Sequence, residues 1–220
     1  MRLRVYILPI VLMSYCSLNA QQTDKDMQMR LQLSLEKKLS NQWQLELDAM
    51  TKTDRNMGHM YQHYLELGLQ KKLSGHIKVG VQQRLVSNRL LDGAYITQYR
   101  SGVYATLKQE FHLWTFEERF LLQSPNWAFN ASNNEMATKP LRLRIKFTTT
   151  RKINKFWSVY AGAEAYLNTN NEIYPTFARL RLPIGISYRI NKDTELKPYV
   201  MYQYRKHLKH PVSEDCIIGL

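Results

Sequence analysis

From Met27 onward the chain alternates between apolar and polar residues. Met27, Met29, Leu31, Leu33 and Leu35 share one parity, and Gln28, Arg30, Gln32, Ser34 and Glu36 share the other. Successive side chains of a strand point to opposite faces, so this segment has one greasy face and one wet face. A helix needs apolar spacings of three and four, which are absent here. The same alternation recurs around Leu45, Leu67, Val79, Ala105, Phe120, Ile145, Ala163, Ile184 and Tyr202, and Cys216 begins an eleventh segment. The pattern predicts ten strands and the start of another.

The segments are about ten residues long, the length of a strand tilted across a bilayer. Short turns are expected near 37–41, 71–75, 108–110, 151–155 and 189–194. Longer polar loops are expected near 50–59, 86–96, 123–140, 168–175 and 206–214. Short turns at one end and longer loops at the other are the plan of an outer-membrane barrel. A soluble sandwich or lipocalin-like barrel also alternates, but its apolar face points inward.

Three features favour the membrane. The polar parity is charged and not merely polar. Aromatics gather near strand ends, with Trp43, Phe111, Phe156, Trp157 and Tyr188 by the short turns and Tyr61, Tyr99, Tyr174 and Tyr204 by the loops. Such girdles mark membrane interfaces. The third feature is a route out of the cytoplasm. Arg2 and Arg4 precede an apolar stretch from 5 to 13, and small and polar residues lead to Ala20. This is the order of a secretory signal peptide, cut after Ala20. Residues 1–20 are the expected signal peptide and residues 21–220 the outer-membrane barrel of a Gram-negative cell. Cys16 leaves with the signal, because bulky Tyr15 before it disfavours lipidation, and Cys216 then has no disulfide partner. The expected fold is all-β, an antiparallel transmembrane β-barrel of about 10–12 strands.

The chain resembles a family of uncharacterised Bacteroidota-type outer-membrane β-barrels, a domain of unknown function. The resemblance rests on Glu36-Lys37-Lys38-Leu39-Ser40-Asn41-Gln42-Trp43, Glu117-Glu118-Arg119-Phe120, Leu141-Arg142-Leu143-Arg144 and Ala163-Glu164-Ala165-Tyr166. It spans nearly all of the mature chain and implies no established activity. Such chains run through a full last strand and end on an aromatic that helps the barrel-assembly machinery recognise them. This sequence stops at Gly219-Leu220, so its last strand is expected to be incomplete or its barrel to close differently.

Some features strain the pattern. Single-chain bacterial barrels have even strand numbers. With short turns periplasmic, strand one would start outside, so a strand is miscounted or the N-terminal segment threads the barrel. His63, Gln83, Ser101 and Glu118 fall on the lipid parity, unless a bulge at Glu117-Glu118 shifts the register. Pro183 and Pro198 fall inside strands, where proline marks an edge or a bulge.

Glu66, Arg84, Arg100, Glu117, Arg119, Arg144, Glu164 and Arg181 all have inward parity and form the candidate interior charge network. Opposite charges on neighbouring strands would form ladders. One reading is a salt-bridged filling that holds a narrow barrel rigid. The other is a basic constriction that favours a small anionic solute. The primary expectation is therefore a structural or narrow-pore, porin-like barrel. The alternatives are a surface binding or adhesion barrel acting through its 123–140 loop, which holds Trp127 and Phe129, and a soluble periplasmic lipid-binding barrel.

Lys plus Arg exceeds Asp plus Glu by 31 − 18 = 13. Much of this excess lies in short turns, at Lys37, Lys38, Lys71, Lys72, Arg151, Lys152, Lys155 and Lys192, where it would meet anionic phospholipid headgroups. Phospholipid and lipopolysaccharide are the expected lipid partners. No helical basic face or binding motif points to nucleic acid. Two cysteines exclude a disulfide scaffold or multi-cysteine zinc module. His207 and His210 lack a third ligand, so no metal or cofactor is expected. Ser158, Ser187 and His112 form no catalytic motif, and no enzymatic role is expected.

Overall fold

The computed structural model describes residues 24–90, 93–124, 127–128, 141–169, 176–206 and 213–220. The expected signal peptide and most of the 123–140 loop, with Phe129, lie outside the described residues, as do His207 and His210. The described residues form β1 (Asp24–Lys38), β2 (Trp43–Asp54), β3 (His59–Lys72), β4 (Ile77–Arg89), β5 (Tyr95–Phe111), β6 (Trp114–Gln123), β7 (Trp127–Ala128), β8 (Leu141–Lys152), β9 (Trp157–Thr169), β10 (Thr176–Arg189), β11 (Glu195–Leu196), β12 (Tyr199–Arg205) and β13 (Ser213–Gly219).

These segments build one closed barrel. Consecutive strands from β1 to β6, and from β8 through β9 and β10 to β12 and β13, pair antiparallel. β6 pairs with β8, and β7 is a two-residue side strand on β5. β11 and β12 are one wall strand broken at Lys197-Pro198, because proline has no N–H for the ladder. The wall therefore has eleven strands. With an odd number of alternating strands, the first and last run the same way. β13 accordingly closes on β1 in parallel, from Asp24↔Ser213 to Arg30↔Gly219, and the count falls within the expected 10–12.

The faces are inverted relative to a soluble protein. Leu33, Leu67, Val81, Val103, Phe120 and Ile184 are exposed on the outer face. Arg30, Glu66, Gln82, Gln123, Glu164, Arg181, Gln203 and Asp215 are buried on the inner face. The lipocalin-like alternative needs the reverse. An apolar surface this extensive marks a face that meets something other than water.

Four short turns share one local device. Ser40, Ser74, Asn154 and Asn191 each turn a side-chain oxygen back onto the backbone N–H groups that follow, for example Asn154 Oδ1 accepting from Phe156 at 2.8 Å and Trp157 at 2.9 Å. Short polar side chains do this readily, which is why they punctuate the apolar runs. The fifth short turn lies at His112-Leu113 and not at 108–110, because β5 continues to Phe111. His112 is thus a turn residue with φ 55°.

At the opposite end, the strands bordering two of the five expected long loops run further than expected. β2 and β3 extend until only 55–58 remains between them, and β4 and β5 leave 90–94. Arg55, Asn56 and Met57 all have positive φ, at 50°, 55° and 66°. Non-glycine residues resist that region. The Asp26 carboxylate holds them there by accepting from Arg55 N–H at 3.2 Å and Asn56 N–H at 2.9 Å. Asp26→Ala is expected to cost about 1–2 kcal/mol, read as a lower urea midpoint of the folded barrel in micelles.

No bulge occurs at Glu117-Glu118. The ladder runs unbroken past them on both sides, and Glu118 is exposed on the outer face between Leu107 and Phe147. His63, Gln83 and Ser101 are also outward. His63 Nδ1 lies 3.1 Å from Thr51 Oγ1, and Ser101 donates to Gln83 at 2.5 Å, so these polar groups satisfy one another. The real register shifts lie at Lys52/Thr53 and Phe177/Arg179. The second keeps exposed Phe177 outside while Arg181 stays inside.

Candidate functional site: the barrel interior

Eleven strands spaced about 4.8 Å apart and tilted about 40° enclose a backbone cylinder roughly 22 Å across. Arg and Tyr side chains line its inner face. Three of these tyrosine rings lie over glycines. A Cβ on Gly80 would sit 2.5 Å from Tyr104 Cζ, and one on Gly185 would sit 2.7 Å from Tyr160 Cζ. Tyr199 covers Gly219 in the same way. Each ring lies flat over a glycine because only a missing side chain leaves it room.

Two clusters hold most of the expected network. In the first, Glu66 accepts from Arg84 Nε at 2.6 Å and from Gln82 Nε2 at 2.7 Å. Arg84 stacks 4.0 Å over the Tyr64 ring. Arg119 stacks 3.7 Å over Tyr104 and donates to Gln82 at 3.3 Å, so it joins this cluster through Gln82. Stacked guanidinium groups keep both their charge and their aromatic contact.

In the second cluster, Glu164 pairs with Arg144 and, at 3.4 Å, with Arg181. Tyr166 donates to Glu164 at 3.0 Å and accepts from Arg181. Arg181 Nε donates to Gln203 at 2.8 Å, and Gln203 donates to Asp215 at 2.5 Å. Arg30 also donates to Gln203, at 3.3 Å, and Arg205 pairs with Asp215 at 3.4 Å. The belt therefore runs from β8 around the wall to β1.

Two expected members fit less well. Arg100 lies in register with Arg84, cation beside cation. Glu117 faces inward beside Lys108 and Thr148 in register and makes no ion pair with Arg119 or Arg144. Sequence reasoning missed Arg30, Lys52, Tyr64, Tyr166, Arg179, Gln203, Arg205 and Asp215 as members of the site. Inward parity was visible for most of them. Their convergence depends on register and closure, which parity alone does not reveal.

A closed barrel with an apolar exterior and a charged lining is the class these features define. The family model described as "Protein of unknown function (DUF2490)" matches residues 27–213, and the chain belongs to that family. No curated protein matches the sequence. Among solved structures, the beta domain of the Bordetella autotransporter Brka is similar at a TM-score of 0.42 and 13% identity, over 83% of this chain and 85% of that one.

Proposed function

We propose that this protein is an integral outer-membrane barrel whose interior is a narrow aqueous passage favouring small anions. The observation that carries the reading is the lining. Arg30, Arg84, Arg144, Arg179, Arg181 and Arg205 converge in the interior, against the carboxylates of Glu66, Glu164 and Asp215. A ring of surplus cations in a confined channel attracts anions and repels cations. The outer leucine and phenylalanine face supports the membrane setting, with phospholipid and lipopolysaccharide against it and the barrel-assembly machinery inserting it. Secretion by a cleavable signal peptide belongs to the same proposal.

The rival role is purely structural, with the Arg–Tyr stacks filling the lumen. Stacking of Arg84 on Tyr64 and Arg119 on Tyr104 favours it. Planar-bilayer recording under a tenfold KCl gradient separates the two. The expected result is a small conductance whose reversal potential has the sign of chloride preference. A silent bilayer with folded protein, or a cation-selective current, overturns the passage.

A further inference from the structure

We propose that the loop-side mouth of the lumen is a binding site for a small phosphate-bearing solute, held by Arg30, Arg179 and Arg205. The inference rests on the aqueous-interior reading above and names the anion class of that site.

A cavity of about 360 Å³ opens here between β1, β2, β3, β10, β12 and β13. Arg30, Lys52, Arg179, Arg181 and Arg205 line it. Three carboxylates line it too, and each already has a partner, which for Asp215 includes Arg205 of the lining itself. Asp26 caps the 55–58 turn, Asp54 pairs with His59 at 3.1 Å, and Asp215 takes Gln203 and Arg205 Nη2. The Nε–H groups of Arg30, Arg179 and Arg205 are buried and have no acceptor among the described residues. Arg30 is itself only 4% exposed.

A buried guanidinium donor without an acceptor is costly, and native proteins avoid it. Arg30, Arg179 and Arg205 reach the cavity from three different strands, β1, β10 and β12. One planar carboxylate or one spherical chloride satisfies them poorly. A tetrahedral phosphate presents several oxygens in different directions, and arginine is the side chain suited to it. Lys52 donates to Gln62 and adds a further positive charge. The cavity lies in the lower part of the roughly 300–1,000 Å³ range of small-molecule sites, so a phosphate with a small organic body fits. The lining side chains point into the lumen, which favours a dissolved phosphate over a lipid headgroup.

The test is phosphorus-31 NMR on the full chain refolded in lipopolysaccharide-free micelles. Inorganic phosphate and glycerol 3-phosphate are titrated at constant ionic strength. Binding needs no conduction, so a silent bilayer leaves this readout intact. Saturable line broadening is expected, weakened about tenfold or more in both Arg179→Gln and Arg205→Gln, the loss of a charge-assisted hydrogen bond. Lys155→Gln, in a short turn, is expected to bind as the parent does. A gel shift on boiling verifies that each variant is folded. Absence of saturable broadening in the folded parent overturns the site. Binding by both arginine variants as tight as the parent's overturns it as well. Displacement of bound phosphate by added lipopolysaccharide overturns the dissolved-solute assignment.

Discussion

Leu67→Arg is expected to lower the stability of the folded barrel in bilayers by about 2–4 kcal/mol, the cost of arginine at the midplane of a lipid-facing strand. Leu67 lies centrally in the outward stripe of β3, between Leu65 and Leu69, and is 51% exposed. On a soluble protein an exposed leucine-to-arginine change typically moves stability by no more than about 0.5 kcal/mol. The two settings therefore differ by a factor of at least several in the effect. Gln109→Arg supplies the comparison. It shares the outward parity of β5 but lies two residues from the turn. There the expected cost falls to about 0–1 kcal/mol. Urea midpoints in phospholipid vesicles, followed by tryptophan fluorescence, read both values. Equal, small effects at both positions contradict a lipid-facing outer surface.

Glu164→Leu is expected to be at least as damaging, at about 3–5 kcal/mol, because it strands two buried cations. Glu164 is 5% exposed and serves Arg144 and Arg181 together. Its removal takes the acceptor from both and leaves Tyr166 O–H without its carboxylate. Glu117→Leu is the matched control. It faces inward on β6 but holds no ion pair with its arginine neighbours, so its loss is expected to cost under about 1 kcal/mol. If the two variants unfold at the same urea concentration, the belt around Glu164 does not hold the interior together. In bilayers, folded Glu164→Gln is expected to conduct with stronger chloride preference, since one negative charge leaves the lining.

Much of the wall was legible because period-two alternation is a local signal. The parity of Leu31, Leu67, Val103, Phe120 and Ile184 already assigned the outer face, and the structure keeps each of them there. Turn positions were less legible. The apolar pattern does not mark where a strand leaves a membrane, so β2, β3, β4 and β5 ran further than expected. Closure was not legible at all. The parallel pairing of β13 with β1 joins residues nearly the whole chain apart, and the last strand was read as starting at Cys216, one residue past Asp215. That error hid the basic mouth, because Arg205 and Gln203 meet Asp215 only once β13 begins at Ser213.

The charge network was half legible for the same reason. Glu66 with Arg84, and Glu164 with Arg181, are cross-strand neighbours in register. The link from Arg181 through Gln203 to Arg30 crosses three further strands. No parity pattern encodes that distance. Arg100 keeps its inward parity, and its register against Arg84 is a further feature that parity alone does not encode.

The most direct test of a closed barrel in the outer membrane is heat-modifiability. Cells are fractionated, and the outer-membrane fraction is run on a gel with and without boiling. The account predicts the chain in that fraction, with an unboiled band that migrates differently from the boiled one. A chain recovered in the soluble periplasmic fraction with a single band in both lanes contradicts it.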